Sequence, residues 1–237
     1  IGGEITVEDL LYLAMVHSAC DACNVLAEYV AGSIDEFVKM MNEWVSSLGC
    51  ENTHFVNCDG LHDENQYTTA SDMAKISLEA VKNETFMKIS STVNFTYDGV
   101  NFIHTNLMLH PSYVTYYYEY AQCIKTGSTE QAGYCVITKA SKNGYNYLAI
   151  VMDSPKRTID GILTKCSFID AKHLFEWAFN SIKYSTVVRK NEVAYEVPVN
   201  NGKDADTVQL IVGEDVTTLV PSALDPSNVF IKPVDPP

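Results

Sequence analysis

The hydrophobic residues change period part-way along the chain, and that change limits what the chain can fold into more than any other feature. Through the first third, apolar positions recur at helical spacing. Thr6 precedes a run in which Val7, Leu10, Leu11, Ala14 and Met15 share one face, the pattern of a capped amphipathic helix. A second helix is predicted from about Asp21 to Ala31, with Gly32 as its stop. Ser33-Ile-Asp-Glu36 is a capping box, and it opens a helix predicted to turn Phe37, Met40, Met41, Trp44, Val45 and Leu48 inward before Gly49. Asp59-Gly60 marks a turn, and the segment from Thr69 to Asp72 caps a further helix carrying Met73, Ile76 and Val81. From Ser91 the period drops to two. "STVNFTYDGVNFIHT" alternates around Asp98-Gly99, and "AGYCVITKASKNGYNYLAIVMD" alternates around Asn143-Gly144, both signatures of hairpins with tight primed turns. With "AQCIKTGSTEQ" ahead of it, the second hairpin predicts three neighbouring antiparallel strands between Ala121 and Met152. A long helix is predicted from about Thr158 to Ile182. Beyond Tyr184, short β-rich runs separated by turns read as the start of an all-β module, ending in the Pro-rich "DPSNVFIKPVDPP". The expected class is therefore α/β in the α+β sense: a helical cluster on an antiparallel sheet, followed by a partial all-β module.

A chain of 237 residues suits one generous domain, or one domain plus a smaller module. Its formal net charge of −14 repels phosphates, so nucleic acid is excluded as an expected partner. No apolar run approaches the roughly twenty residues of a membrane helix. The chain opens on "IGGEITVEDLL", without an initiator Met and without a signal-peptide or lipidation pattern, and is expected to be a processed chain or a fragment. Seven cysteines at irregular spacing are a poor disulfide framework, and free thiols acting as small apolar residues are expected. Cys20-Asp-Ala-Cys23 has the spacing of a redox or metal motif, yet nothing in the spacing selects the two further ligands a metal needs, so neither metal nor cofactor is expected. Asn83 and Asn94 each open a glycosylation sequon, which would mean little if the source were bacterial.

Two segments, read together, point further. One is "TVEDLLYLAMVHSACDACNVLAEYVAGSIDEFVKMMNEWVSSLGCENTHFVNCDGLHDENQYTTASDMAKI"; the other is "IKTGSTEQAGYCVITKASKNGYNYLAIVM". Both resemble the serine D-alanyl-D-alanine carboxypeptidases, the low-molecular-mass penicillin-binding proteins of bacterial cell-wall maturation, whose fold is β-lactamase/transpeptidase-like. The resemblance runs from about Thr6 to Ile182. It implies a carboxypeptidase domain over residues 1–183, lacking its N-terminal part, and the start of that family's β-rich C-terminal domain over residues 184–237.

The family's site combines Ser-x-x-Lys, Ser-x-Asn and Lys-Thr-Gly. A serine hydroxyl is a poor nucleophile until a base takes its proton, and a lysine can do so only where its surroundings keep it neutral. A second serine can relay protons toward the leaving amine. A strand lysine fixes that serine and offers positive charge to the substrate's terminal carboxylate. A glycine after Lys-Thr lets the substrate backbone lie along the strand edge, and the next backbone N–H can serve an oxyanion hole. Carried over by resemblance, Ser18 takes the catalytic relay position, Lys125, Thr126 and Gly127 are the Lys-Thr-Gly, Thr126 helps hold the carboxylate, and the Ser128 N–H is the oxyanion donor. Read without the resemblance, Ser18 is a helix cap and Lys125 a solvated strand lysine.

Two departures stand out. Cys20 occupies the position of the family's asparagine, and a thiol is a smaller and weaker hydrogen-bonding group than an amide, so substrate binding is expected to suffer. No serine in the chain is followed three places later by lysine, so the chain by itself is expected to be inactive. The resemblance implies a penicillin-sensitive hydrolase of peptidoglycan pentapeptides working through an acyl-serine intermediate. It would need no cofactor and act outside the bacterial cytoplasm, with any membrane tether outside this chain. The alternatives are a non-catalytic wall-peptide-binding relative and a thiol or metal protein built on Cys20 and Cys23. Among the histidines, His17 adjoins Ser18 and His62 follows Asp59-Gly60-Leu61. His104 and His110 flank a loop rich in tyrosine, Tyr113 to Tyr120, which is expected to pack over the sheet.

Overall fold

The computed structural model describes residues 3–199, 203, 206–225 and 228–231; the remainder of the Pro-rich tail, residues 226–227 and 232–237, lies outside them. The chain divides into two compact units, Ile1–Phe175 and Glu176–Pro237.

The first unit begins as its caps dictate. Thr6 accepts a hydrogen bond from the Asp9 amide and starts α1 (Val7–Tyr12), which passes into a π-helical turn, Leu13–His17. Then α2 (Cys20–Ala31) ends at Gly32, whose φ of 82° is readily reached only without a Cβ. Ser33 accepts from the Glu36 amide and opens α3 (Ile34–Ser47). Leu10, Ala14 and Ala22 form a small core with Ile5, Leu13, Cys23 and Leu26 around it, and α3 packs on α2. The inward set predicted for α3 needs correction: Val45 is buried, but Met40 and Trp44 are 48% and 45% exposed, so only part of the apolar stripe is covered. Thr69 caps α4 (Ala70–Ala80) as expected. The sequence pattern gave no sign of α5 (Glu84–Ser90); its cap is Asn83, the sequon asparagine, whose side chain accepts from the Phe86 amide.

Two antiparallel sheets follow. β1 (Asn94–Tyr97) and β2 (Val100–Ile103) pair around Asp98-Gly99, both at positive φ, as a primed turn requires. β3 (Ala121–Thr129), β4 (Gly133–Lys142) and β5 (Tyr145–Ser154) pair in the order β3-β4-β5, so β3 is an edge strand. On β4, Val136, Thr138 and Ala140 alternate inward and are fully buried. α4 packs on β5 and α5 on β3.

The long helix expected from Thr158 is shorter. Lys156–Ile159 (β6) and Ile162–Lys165 (β7) pair across Asp160 (φ 50°) and Gly161 (φ 79°), and only Cys166–Ser181 is helical, as α6. The Asp-Gly pair ends the helical pattern because both residues adopt the left-handed conformations of a primed turn. α6 buries Phe168, Ala171 and Phe175; Tyr118 stacks on Phe175 and Tyr116 meets Phe168 edge-on, so these two tyrosines pack on α6, where the sequence reading expected packing over the sheet.

The second unit carries β8 (Ile182–Val188), β9 (Val193–Pro198), β10 (Thr207–Ile211) and β11 (Val216–Pro221), paired antiparallel as β8 with β11 and β9 with β10. These strands fall where the β-rich runs of the sequence predict them.

Candidate active site

Ser18 sits where a π-helical turn breaks. That turn ends in a residue with φ 61° and ψ 42°, a left-handed conformation uncommon outside glycine, and the residue is Ser18 itself. The β1–β2 hairpin holds the turn in place: Tyr12 stacks on Phe95 at 4.7 Å, and His17 packs edge-on against Phe102 at 4.9 Å. Ser18 does not cap α2. The capping position belongs to Ala19, and the Ser18 hydroxyl is turned elsewhere.

It accepts a hydrogen bond from Lys125 Nζ at 2.7 Å, across 107 positions of sequence. Lys125 follows an irregularity in the β3–β4 register between Cys123 and Lys125, a bulge of the kind that re-aims a side chain. Its ammonium also donates to the Thr126 carbonyl at 2.8 Å. Burial pushes the Lys125 pKa down, against the opposing pull of the Cys123, Cys23 and Cys20 thiols nearby. Lys125 is therefore no solvated strand lysine.

Thr105, which no sequence motif singled out, ties these parts together. The Thr105 hydroxyl lies 2.6 Å from that of Thr126, and the Thr105 amide donates to the Val16 carbonyl at 3.1 Å. Thr105 thus fastens the Lys-Thr-Gly strand to the turn that carries Ser18. Its neighbour His104 is buried, its Nδ1 accepts from the Asn106 amide, and burial followed by the Lys125 charge pushes its pKa down to about 4. Thr105 carries no local signal because its role depends on where two distant segments meet.

Ser18, Cys20, Lys125, Thr126, Gly127 and Ser128 all line one cavity of about 440 Å³, together with Cys23, Cys58 and Asp59. A second cavity of about 330 Å³ shares Ser18, Cys20, Thr126, Gly127 and Ser128 and extends to Thr105, Tyr134 and Lys165. A Cβ at Gly127 would meet no atom within 4 Å, so the edge of β3 there faces open space. The six residues singled out in the sequence thus converge.

Cys20 Sγ makes long, weak hydrogen bonds, 3.7 Å to the Asp59 carbonyl and 4.0 Å to that of Ser18. Asp59 in turn accepts from Asn24 Nδ2 at 3.3 Å, and Cys58 Sγ donates to Asn24 Oδ1 at 3.1 Å. Burial, then repulsion from Cys58 and Cys20, pushes the Cys23 thiol up to about 11. The seven cysteines are free thiols, and among the described residues no cluster of His, Cys, Asp and Glu is arranged to hold a metal ion. His17 is exposed and packs on Phe102, outside the cavity. His62 lines an adjoining apolar compartment with Leu61, Tyr67 and Thr129 and does not reach Lys125 or Ser18.

The family profile described as D-alanyl-D-alanine carboxypeptidase matches residues 1–156. The D-alanyl-D-alanine carboxypeptidase DacA of Escherichia coli is 31% identical over 223 residues, covering 93% of this chain and 52% of the relative. Penicillin binding protein 5 of Haemophilus influenzae superposes with a TM-score of 0.69 at 29% identity, covering 93% of this chain and 61% of that structure. A penicillin-binding protein of Listeria monocytogenes in its cefotaxime-bound form gives a TM-score of 0.62 at 28% identity over 74% of this chain and 67% of that one. The chain spans about half the length of the curated relatives it matches. On the matched profile, the identities and the shared fold, the chain belongs to the D-alanyl-D-alanine carboxypeptidase family.

Proposed function

We propose that this chain supplies the relay and substrate-binding half of a serine-type D-alanyl-D-alanine carboxypeptidase that cleaves peptidoglycan stem peptides and is acylated by penicillins. The observation that carries the reading is the 2.7 Å hydrogen bond from Lys125 to Ser18 at an open edge strand. In this reading residues 1–183 form the carboxypeptidase domain and residues 184–237 begin the C-terminal one.

The edge of β3 would receive the substrate as an added strand, with the terminal carboxylate near Lys125 and Thr126 and the scissile carbonyl at the Ser128 N–H. Gly127 leaves room for that backbone. As the D-alanine amine leaves, the Ser18 hydroxyl gives it a proton and Lys125 returns one to Ser18 Oγ; burial favours this because it weakens the hold of Lys125 on its proton. The acylated serine and its lysine base belong to a Ser-x-x-Lys motif, which these 237 residues do not contain. Site of action is proposed as the bacterial cell envelope; among the described residues no helix is long and apolar enough to cross a membrane.

The test is acylation by benzylpenicillin followed by intact mass, on this chain and on the full gene product. Labelling of the full product alone is the expected result, with Ser18→Ala and Lys125→Met lowering its rate about a hundredfold or more. A full product that carries Ser-x-x-Lys and is neither labelled nor able to release D-alanine would overturn the enzyme reading in favour of a wall-peptide-binding relative. Labelling of this chain alone would show the nucleophile to be among these residues.

A further inference from the structure

Three thiols and an amine share the walls of the site cavity: Cys20, Cys23, Cys58 and Lys125. We propose that Cys20 is a site of reversible thiol–disulfide exchange with small disulfides, and that its modification closes the cleft between Ser18 and the edge of β3.

Geometry singles out Cys20 among the seven. Cys50, Cys123 and Cys166 are buried. Cys23 is packed into the core formed by Leu10, Ala14 and Ala22, and Cys58 is hydrogen-bonded to Asn24. Burial pushes the thiols of Cys23, Cys58 and Cys123 up, Cys23 to about 11, so at neutral pH they hold little of the thiolate that attacks disulfides. Cys20 is part-exposed, its sulfur makes only weak hydrogen bonds of 3.7 Å and 4.0 Å to backbone carbonyls, and it lines both cavities where they meet. The nearest competitor is Cys135, which faces Gly127 across the β3–β4 ladder and lines the second cavity, with its Sγ held at 3.4 Å from the Ala132 carbonyl.

The chemistry balances without a further reactant. Cys20 sulfur attacks one sulfur of R–S–S–R, a new Cys20–S–S–R bond forms as the old S–S bond breaks, and RS⁻ departs with the electron pair and takes up the proton Cys20 has lost. The small disulfide is reduced as the protein thiol is oxidised, and excess thiol reverses the exchange. The added group occupies the region common to the two cavities, beside Ser18, Gly127 and Ser128. An asparagine at this position has no such chemistry.

The probe is oxidised glutathione, applied to the folded chain and read by intact mass and peptide mapping. The expected result is an adduct on Cys20, or an internal disulfide that contains Cys20. It is removed by dithiothreitol, lost in Cys20→Ser and kept in Cys135→Ser. An adduct or disulfide that does not include Cys20, such as one on Cys135 or on Cys58 alone, or reaction only after denaturation, overturns the assignment. This arm does not depend on the function proposed above. In the full gene product, penicillin labelling should fall in proportion to the glutathionylated fraction and return with dithiothreitol. Undiminished labelling of the modified protein would overturn the closure of the cleft. If the unmodified product takes up no penicillin, the same comparison made on binding of a D-Ala-D-Ala peptide decides it.

Discussion

His104 offers a test of how the site's supporting shell is held. It is 1% exposed, and its pKa lies at about 4 against the ordinary imidazole value of 6.5, chiefly through burial and then through the Lys125 charge, with His110 adding to the shift and the Ser90 backbone opposing it. Above pH 6.5 neither the folded nor the unfolded chain holds the extra proton, and the stability from this group is fully present. As pH falls from 6.5 toward 4, the unfolded chain takes up a proton that the native state refuses. Each pH unit in that window removes about 1.4 kcal/mol, reaching about 2 kcal/mol at pH 5 and about 3 kcal/mol by pH 4. The variant His104→Gln keeps an acceptor for the Asn106 amide and does not titrate. Urea unfolding of both proteins at several pH values, in a Trp177→Phe background that leaves Trp44 as reporter of the first unit, gives the difference directly. The wild type should lose about 2 kcal/mol more than the variant between pH 7.5 and 5. A difference that stays flat across that range would refute the account of His104 as a buried neutral imidazole.

Other consequences are open to measurement. Gly133 has φ 65°, and a Cβ there would lie 3.0 Å from Asp153 Cα; Gly133→Ala should therefore lower stability by about 2 kcal/mol in thermal or urea unfolding. Asp72 is nearly inaccessible and accepts from the Asn52 amide, the Thr53 hydroxyl and Lys75; burial pushes its pKa up, but these hydrogen bonds and the Lys75 charge together hold it below the usual carboxylate range. Its contribution is present above the unfolded pKa and is lost as pH falls through the lowered native value, so Asp72→Asn should lower the melting temperature at neutral pH and close the gap to wild type in strong acid. Thr105→Val removes the bond to Thr126; in the full gene product KM for a D-Ala-D-Ala peptide should rise roughly fivefold, the equivalent of about 1 kcal/mol, with kcat changed less. An unchanged KM would show that Thr126 needs no such support.

Features that depend on near neighbours are legible in the amino-acid sequence by itself. The caps at Thr6, Ser33 and Thr69, the stop at Gly32 and the turns at Asp98-Gly99 and Asn143-Gly144 stand where the sequence places them, because each rests on hydrogen bonds or φ angles within a few residues. The same local rule extends to the Asp160-Gly161 turn and the Asn83 cap, both of which a longer helical or polar pattern around them obscured. Motif and resemblance together named six of the residues that line the site cavity. Only the tertiary structure decided that the Ser18 hydroxyl leaves α2 uncapped to meet Lys125, that a bulge after Cys123 aims that lysine, and that Thr105 braces both sides. It also decided that Met40 and Trp44 stay at the surface while His104 goes inside. Those outcomes turn on contacts between segments far apart in sequence, where burial and the charge of a neighbour set the chemistry, and no local pattern of residues encodes them.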